Sequence, residues 1–136
     1  MFNKLKFQER DILWLYIPAI KDVKKKREHS GLRPFLLKDI KQGYYKLATM
    51  TGEFKKLEHQ YLIKYETNNM YQHRSINLNF EICMREEVLK RIIGEVFDYI
   101  RPYQLNQRDF DNFSLQQKQY FANPELLGKR YELWVV

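Results

Sequence analysis

Apolar residues in the first part of the chain recur at three- and four-residue steps. Over residues 8–29, Ile12, Leu13, Tyr16, Ile20 and Val23 fall on one side of a helix. Pro18 interrupts this stripe and predicts a kink, or two abutting helices with Pro18 in the first turn of the second. Ser30-Gly31 is a break. Pro34 then suits the first turn of a further helix carrying Leu37, Ile40, Tyr44, Leu47 and Ala48. Thr51-Gly52-Glu53 breaks the pattern again, and Phe54 and Leu57 continue a short helix.

From Gln60 the repeat shortens to two residues. Tyr61, Ile63 and Tyr65 alternate with Leu62, Lys64 and Glu66, and Ile76, Leu78, Phe80 and Ile82 alternate with Asn77, Asn79 and Glu81. Joined through Asn68-Asn69, the two runs predict an antiparallel hairpin with one apolar and one wet face. Residues 86–101 carry a full apolar stripe (Val88, Leu89, Ile92, Ile93, Val96, Phe97, Ile100) that ends at Arg101-Pro102. Its length matches the hairpin, so the two are expected to form the main core. Residues 103–113 read as an irregular loop, Ser114 as the cap of a short polar helix, and residues 130–136 as a final strand.

The expected fold class is therefore α+β: N-terminal helices, an antiparallel β-hairpin packed on a long amphipathic helix, and a C-terminal strand joining the sheet. The 136 residues suit a single domain, with a basic helical part over about residues 1–58 and a hairpin–helix–strand part over about 59–136. At 44% hydrophobic and 30% charged, the composition fits a compact globule. The longest apolar run, residues 12–17, falls far short of the roughly twenty residues that span a bilayer. The chain's start carries no signal-peptide pattern, and the lone Cys83 cannot form an internal disulfide. Both point to a cytoplasmic location, with Cys83 a small core residue.

Charge changes the picture more than composition does. Residues 1–41 hold eleven Lys/Arg and five Asp/Glu, so they carry +6 of the net +7. Such a field attracts polyanions and releases counterions on meeting phosphate. Helical spacing gathers Lys21, Lys24 and Lys25 on one face, flanked by Lys26 and Arg27, and Arg33, Lys38 and Lys41 extend it. Ten tyrosines add contact area, and Tyr61, Tyr65 and Tyr71 near the hairpin are candidates for stacking on bases.

Candidate chemistry is sparse. If Glu66 lies opposite His73, His59 falls about 23 Å away, too far to share one acid–base site. A single-histidine site of His73, Glu66 and Arg74 is what a small metal-independent ribonuclease would use. One cysteine and no histidine pair at ligand spacing argue against zinc, and Asp109, Asp111 and Asn112 lack the glycine and distal glutamate of a calcium loop. The five glycines are isolated, which leaves no phosphate loop, and no cofactor is expected.

Leu47-Ala48 through Gly52-Glu53-Phe54, followed by a hairpin and an apolar helix, resembles the helix–strand–strand–helix order of LAGLIDADG homing endonucleases over residues 45–100. The resemblance implies a DNA-facing sheet. That family places an acidic metal ligand just before its glycine, and Thr51 stands at that position here, which argues against metal-dependent cleavage.

Three readings follow, and binding is preferred over catalysis. The first is a small basic nucleic-acid-binding domain without catalytic activity that contacts phosphate through the lysine-rich face. The second is a protein-binding inhibitor or regulator, of phage or mobile-element type, that presents the same charge to an acidic surface of a nucleic-acid-handling host enzyme. The third is the ribonuclease. Neither oligomeric state nor partner is fixed by the sequence, although a C-terminal edge strand is a possible dimer contact.

Overall fold

The computed structural model describes residues 7–17, 33–51, 59–65, 75–94, 104–125 and 131–136. Strands β1 (Ile12–Leu15), β2 (Arg33–Lys41), β3 (Tyr44–Thr51), β4 (Gln60–Leu62) and β5 (Ser75–Arg85) are followed by helices α1 (Glu86–Gly94) and α2 (Gln107–Ala122) and strand β6 (Tyr131–Val135). The sheet order is β1-β2-β3-β5-β4, and β6 also pairs with β5. All pairings are antiparallel except β5–β6.

The class is α+β, but the N-terminal helices are corrected to strands wherever that region is described. Leu13, Leu15 and Ile17 turn one way and Ile12 the other, the two-residue alternation of a strand; one face is buried throughout and the other at Ile12, with Trp14 exposed. Residues 18–32, with the lysine-rich run, lie outside the described residues. Residues 34–48 fold as two strands about Gln42-Gly43, with Lys41 opposite Tyr44 and Gly43 at φ +87°. Phe35, Ile40, Tyr44, Tyr45 and Thr49 suit a pleated surface better than a helix. The order resembling LAGLIDADG proteins therefore loses its first helix, because residues 44–51 are strand β3.

The expected β4–β5 pairing forms, but Gln60 faces Asn77, a register two residues away from the one that set Glu66 against His73. The two helices cover opposite faces of the sheet. Val88, Leu89 and Ile93 of α1 pack with Leu13, Leu15, Phe35, Leu37, Leu47, Ile82 and Met84. Phe113 and Tyr120 of α2 pack with Ile12, Leu36, Ala48, Met50, Tyr61, Ile76 and Leu78. Each fully buried Leu or Ile contributes roughly 1.5–3 kcal/mol.

The apolar stripe expected along β5 therefore divides between two cores. Between the pairs Met50–Ile76 and Ala48–Glu81, β3 advances two residues while β5 advances five. This irregularity reverses the alternation, so Ile76 and Leu78 face α2, whereas Ile82 and Met84 face α1. It also turns Glu81 inward, where a wet face was expected.

Residues 107–113, expected as loop, begin α2. Asn106 caps it by accepting from the Arg108 amide at 2.8 Å, and Ser114 lies inside the helix. Asp109 is fully buried and accepts three hydrogen bonds: from the Tyr61 hydroxyl at 2.6 Å, the Lys64 amide at 2.8 Å and the Tyr65 amide at 2.9 Å. The C-terminal strand joins the sheet as expected, beside β5. The parts expected to divide near residue 58 share this sheet, because β3 pairs with β5.

Candidate functional site

α2 covers only part of its face of the sheet. Beyond it, the strand pairing lays out two rows of side chains: Asp39, Lys46, Cys83 and Trp134, then Lys41, Tyr44 and Arg85. Residues paired across strands stand on one face, about 5 Å apart. Three segments distant in sequence thus place cations and aromatic rings on a common surface.

The inner boundary of this surface is an ion-pair cluster. Glu81, 1% exposed, receives Lys38 Nζ at 2.7 Å and lies 3.5 Å from Lys46 Nζ. The Gln117 amide nitrogen donates to the Leu78 carbonyl at 3.1 Å and to Glu81 at 3.4 Å, and its oxygen accepts from Lys38. Lys38 also sits over the Phe121 ring, 5.9 Å from its centroid. A buried carboxylate is tolerable when charge and hydrogen bonds surround it, and here they also fasten α2 to the sheet. Burial lowers the pKa of Lys38, with Glu81 partly offsetting it. At Lys46, burial opposes the charge, but neighbouring acidic groups, Glu81 foremost, outweigh it and raise the pKa.

Cys83 is fully buried, and burial, reinforced by Glu132 and Glu81, pushes its thiol up to about 11. It is protonated at neutral pH and therefore a poor nucleophile. Ligand atoms of Glu81, Cys83 and Glu132 lie within 4.8 Å of one another. A cation there would compete with the two ammonium groups on Glu81 and would have to deprotonate that thiol, so the trio is poorly suited to hold a metal.

The outer part is open. Trp134 is 46% exposed, and its ring centroid lies 5.3 Å from that of Tyr44, with the planes tilted by 49°. The Trp134 indole N–H donates to Glu132 at 2.8 Å, which fixes the ring's orientation. Lys41 is exposed and pairs with Asp39 at 3.2 Å. Arg85, also exposed, has no acidic group within 4 Å among the described residues.

The structure brings only some of the sequence-derived candidates to this surface. Lys41 is on it, and Lys38 is held beneath it. Arg33 pairs with Leu15 at the other end of β2, roughly 27 Å along the strand from Lys41. Tyr61 is 1% exposed and donates to Asp109, so its ring belongs to the core. Tyr65 is 42% exposed, with the Arg108 guanidinium 5.4 Å from its ring centroid. Lys21, Lys24, Lys25, Lys26, Arg27, Glu66, Tyr71, His73 and Arg74 lie outside the described residues. Sequence reasoning missed Tyr44, Arg85 and Trp134; a strand reading of residues 34–48 would have placed Tyr44 on a surface.

No protein-family model matches the chain, and no curated protein is significantly similar to it.

Proposed function

We propose that this chain is a small basic nucleic-acid-binding domain that contacts phosphate and carries out no chemistry of its own. The observation that carries this reading is the charge asymmetry, +6 of the net +7 within residues 1–41. Lys21, Lys24, Lys25, Lys26 and Arg27 supply the contact, with Arg33 and Lys41 extending it. Contacts of this kind give affinity and position but little sequence reading. Exposed Lys41 and Arg85 support the reading from the described side of the sheet. The protonated Cys83 thiol and the ammonium-bound Glu81 offer no ready nucleophile or free base there.

The test is binding to mixed-sequence duplex DNA, single-stranded DNA and RNA between about 50 and 200 mM salt. Wild type is compared with a Lys24→Glu/Lys25→Glu/Lys26→Glu/Arg27→Glu variant shown to be folded by circular dichroism. Steeply salt-dependent binding that the variant loses is the expected result. Absence of binding at low salt would refute the reading and redirect the search to an acidic protein partner. RNA cut by wild type but spared by His73→Ala would replace it with the ribonuclease.

A further inference from the structure

The phosphate-binding reading says nothing about whether the ligand is paired or unpaired. The outer row of the sheet bears on that question. An exposed apolar side chain is informative only when it is large and placed with others, and Trp134, exposed beside the half-buried Tyr44, meets that condition. Tyr44 lies against Trp134 at 49° and 5.3 Å, which leaves a large part of the indole, 46% exposed, open to solvent. The hydrogen bond from Trp134 to Glu132 holds the indole in place, so little side-chain freedom is lost when a planar ligand stacks on it.

The surroundings specify the ligand further. Arg85 stands directly across from Tyr44, and Lys41 is the next residue in the same row. An aromatic platform beside two exposed cations matches a planar base attached to a phosphate. A duplex offers such a platform only its stacked interior, whereas a single strand can turn its bases outward.

We propose that an unpaired nucleobase stacks on the open face of Trp134, which Tyr44 backs, while Arg85 and Lys41 hold the adjoining phosphates, so that the ligand is single-stranded nucleic acid. The inference rests on the nucleic-acid-binding reading above and adds a site and a strand state to it. The stacking residue Trp134 lies on β6 and is not one of the phosphate contacts of that reading, so the two can fail separately.

The chain has two tryptophans, so Trp14→Phe leaves Trp134 as the sole indole reporter. This variant is titrated with thymidine and uridine homopolymers and with duplex DNA at about 50 mM salt, and its fluorescence is followed. Single strands are expected to quench Trp134 strongly, whereas duplex DNA leaves it nearly unchanged. Trp134→Leu should weaken single-strand binding about tenfold, the usual loss for one stacked base, and Tyr44→Leu less than that, with Trp134→Phe retaining most of the affinity. The difference between the thymidine and uridine arms distinguishes DNA from RNA as the preferred source. Tight binding without quenching, with Trp134→Leu folded and unimpaired, would overturn the stacking site and leave the phosphate reading standing. Absence of binding to every probe would overturn both.

Discussion

Lys38 Nζ stands 2.7 Å from Glu81 Oε1, and the two side chains are only 11% and 1% exposed. The pair joins β2 to β5 exactly where α2 lays Gln117 against the sheet. Such a pair is costlier to break than to replace as a whole, because each charge is buried on account of the other.

Glu81→Leu should therefore destabilise the fold by roughly 3–5 kcal/mol, and Lys38→Met by a similar amount. The double variant should recover most of that loss, because it removes both desolvation penalties together. Urea unfolding midpoints of the four proteins check this; a double variant no more stable than Glu81→Leu would contradict it.

Alkali should weaken the fold through Cys83. Burial holds its thiol at about 11 against an ordinary 9.0, so the folded chain keeps a proton that the unfolded chain releases. Stability then falls as the pH rises from about 9 to about 11. Tyr61 acts in the same direction above 10, its phenol raised by burial and by the bond to Asp109. Lys38 acts the other way: its folded pKa lies below 10.5, so high pH relieves the burial of its charge. Cys83→Ala should lose less stability than wild type across the thiol window, measured by urea unfolding on either side of it.

Asp109 gathers three donors onto one buried carboxylate. Asp109→Ala should cost about 3 kcal/mol or more, and Tyr61→Phe about 1 kcal/mol, since the latter leaves both amide bonds in place. In hydrogen exchange, the Lys64 and Tyr65 amides should lose protection in Asp109→Ala and keep it in Tyr61→Phe.

Gly43 occupies φ +87° at the β2–β3 turn, with open space where a side chain would project. Gly43→Val should cost about 1–2 kcal/mol through backbone conformation alone, and Gly43→Asn clearly less. Thermal unfolding of the two variants separates that effect from a steric one, which would penalise both.

The elements legible in the sequence were those with one unambiguous period. Val88, Leu89 and Ile93 announce α1, and the alternation at residues 76–82 announces a strand. The first third misleads because its strands carry apolar residues on both faces. Ile12 faces α2 while Leu13 and Leu15 face α1, which yields a continuous apolar run with no visible alternation. Leu37, Ile40, Tyr44 and Leu47 match helical steps only because a turn at Gln42-Gly43 falls among them. Asp109 read as part of an irregular loop because its partners, Tyr61 and the Lys64 and Tyr65 amides, are brought to it only by the fold. The surface around Trp134 was hidden for a related reason: its rows exist only once four strands have found their register.

Arg10 Nε donates to the Leu105 carbonyl at 3.0 Å across 95 residues, and the Gln104 amide donates to Asp11 at 3.0 Å across 93. Closing so long a loop is opposed by chain entropy, whereas the Gln42-Gly43 turn needs almost none. The hairpin should form early and this clasp late, giving folding on the order of milliseconds to seconds, as expected of chains dominated by distant pairings. A bond made after the rate-limiting step governs how fast the chain comes apart. Gln104→Ala should accordingly shorten the lifetime of the folded protein while leaving its folding rate nearly unchanged.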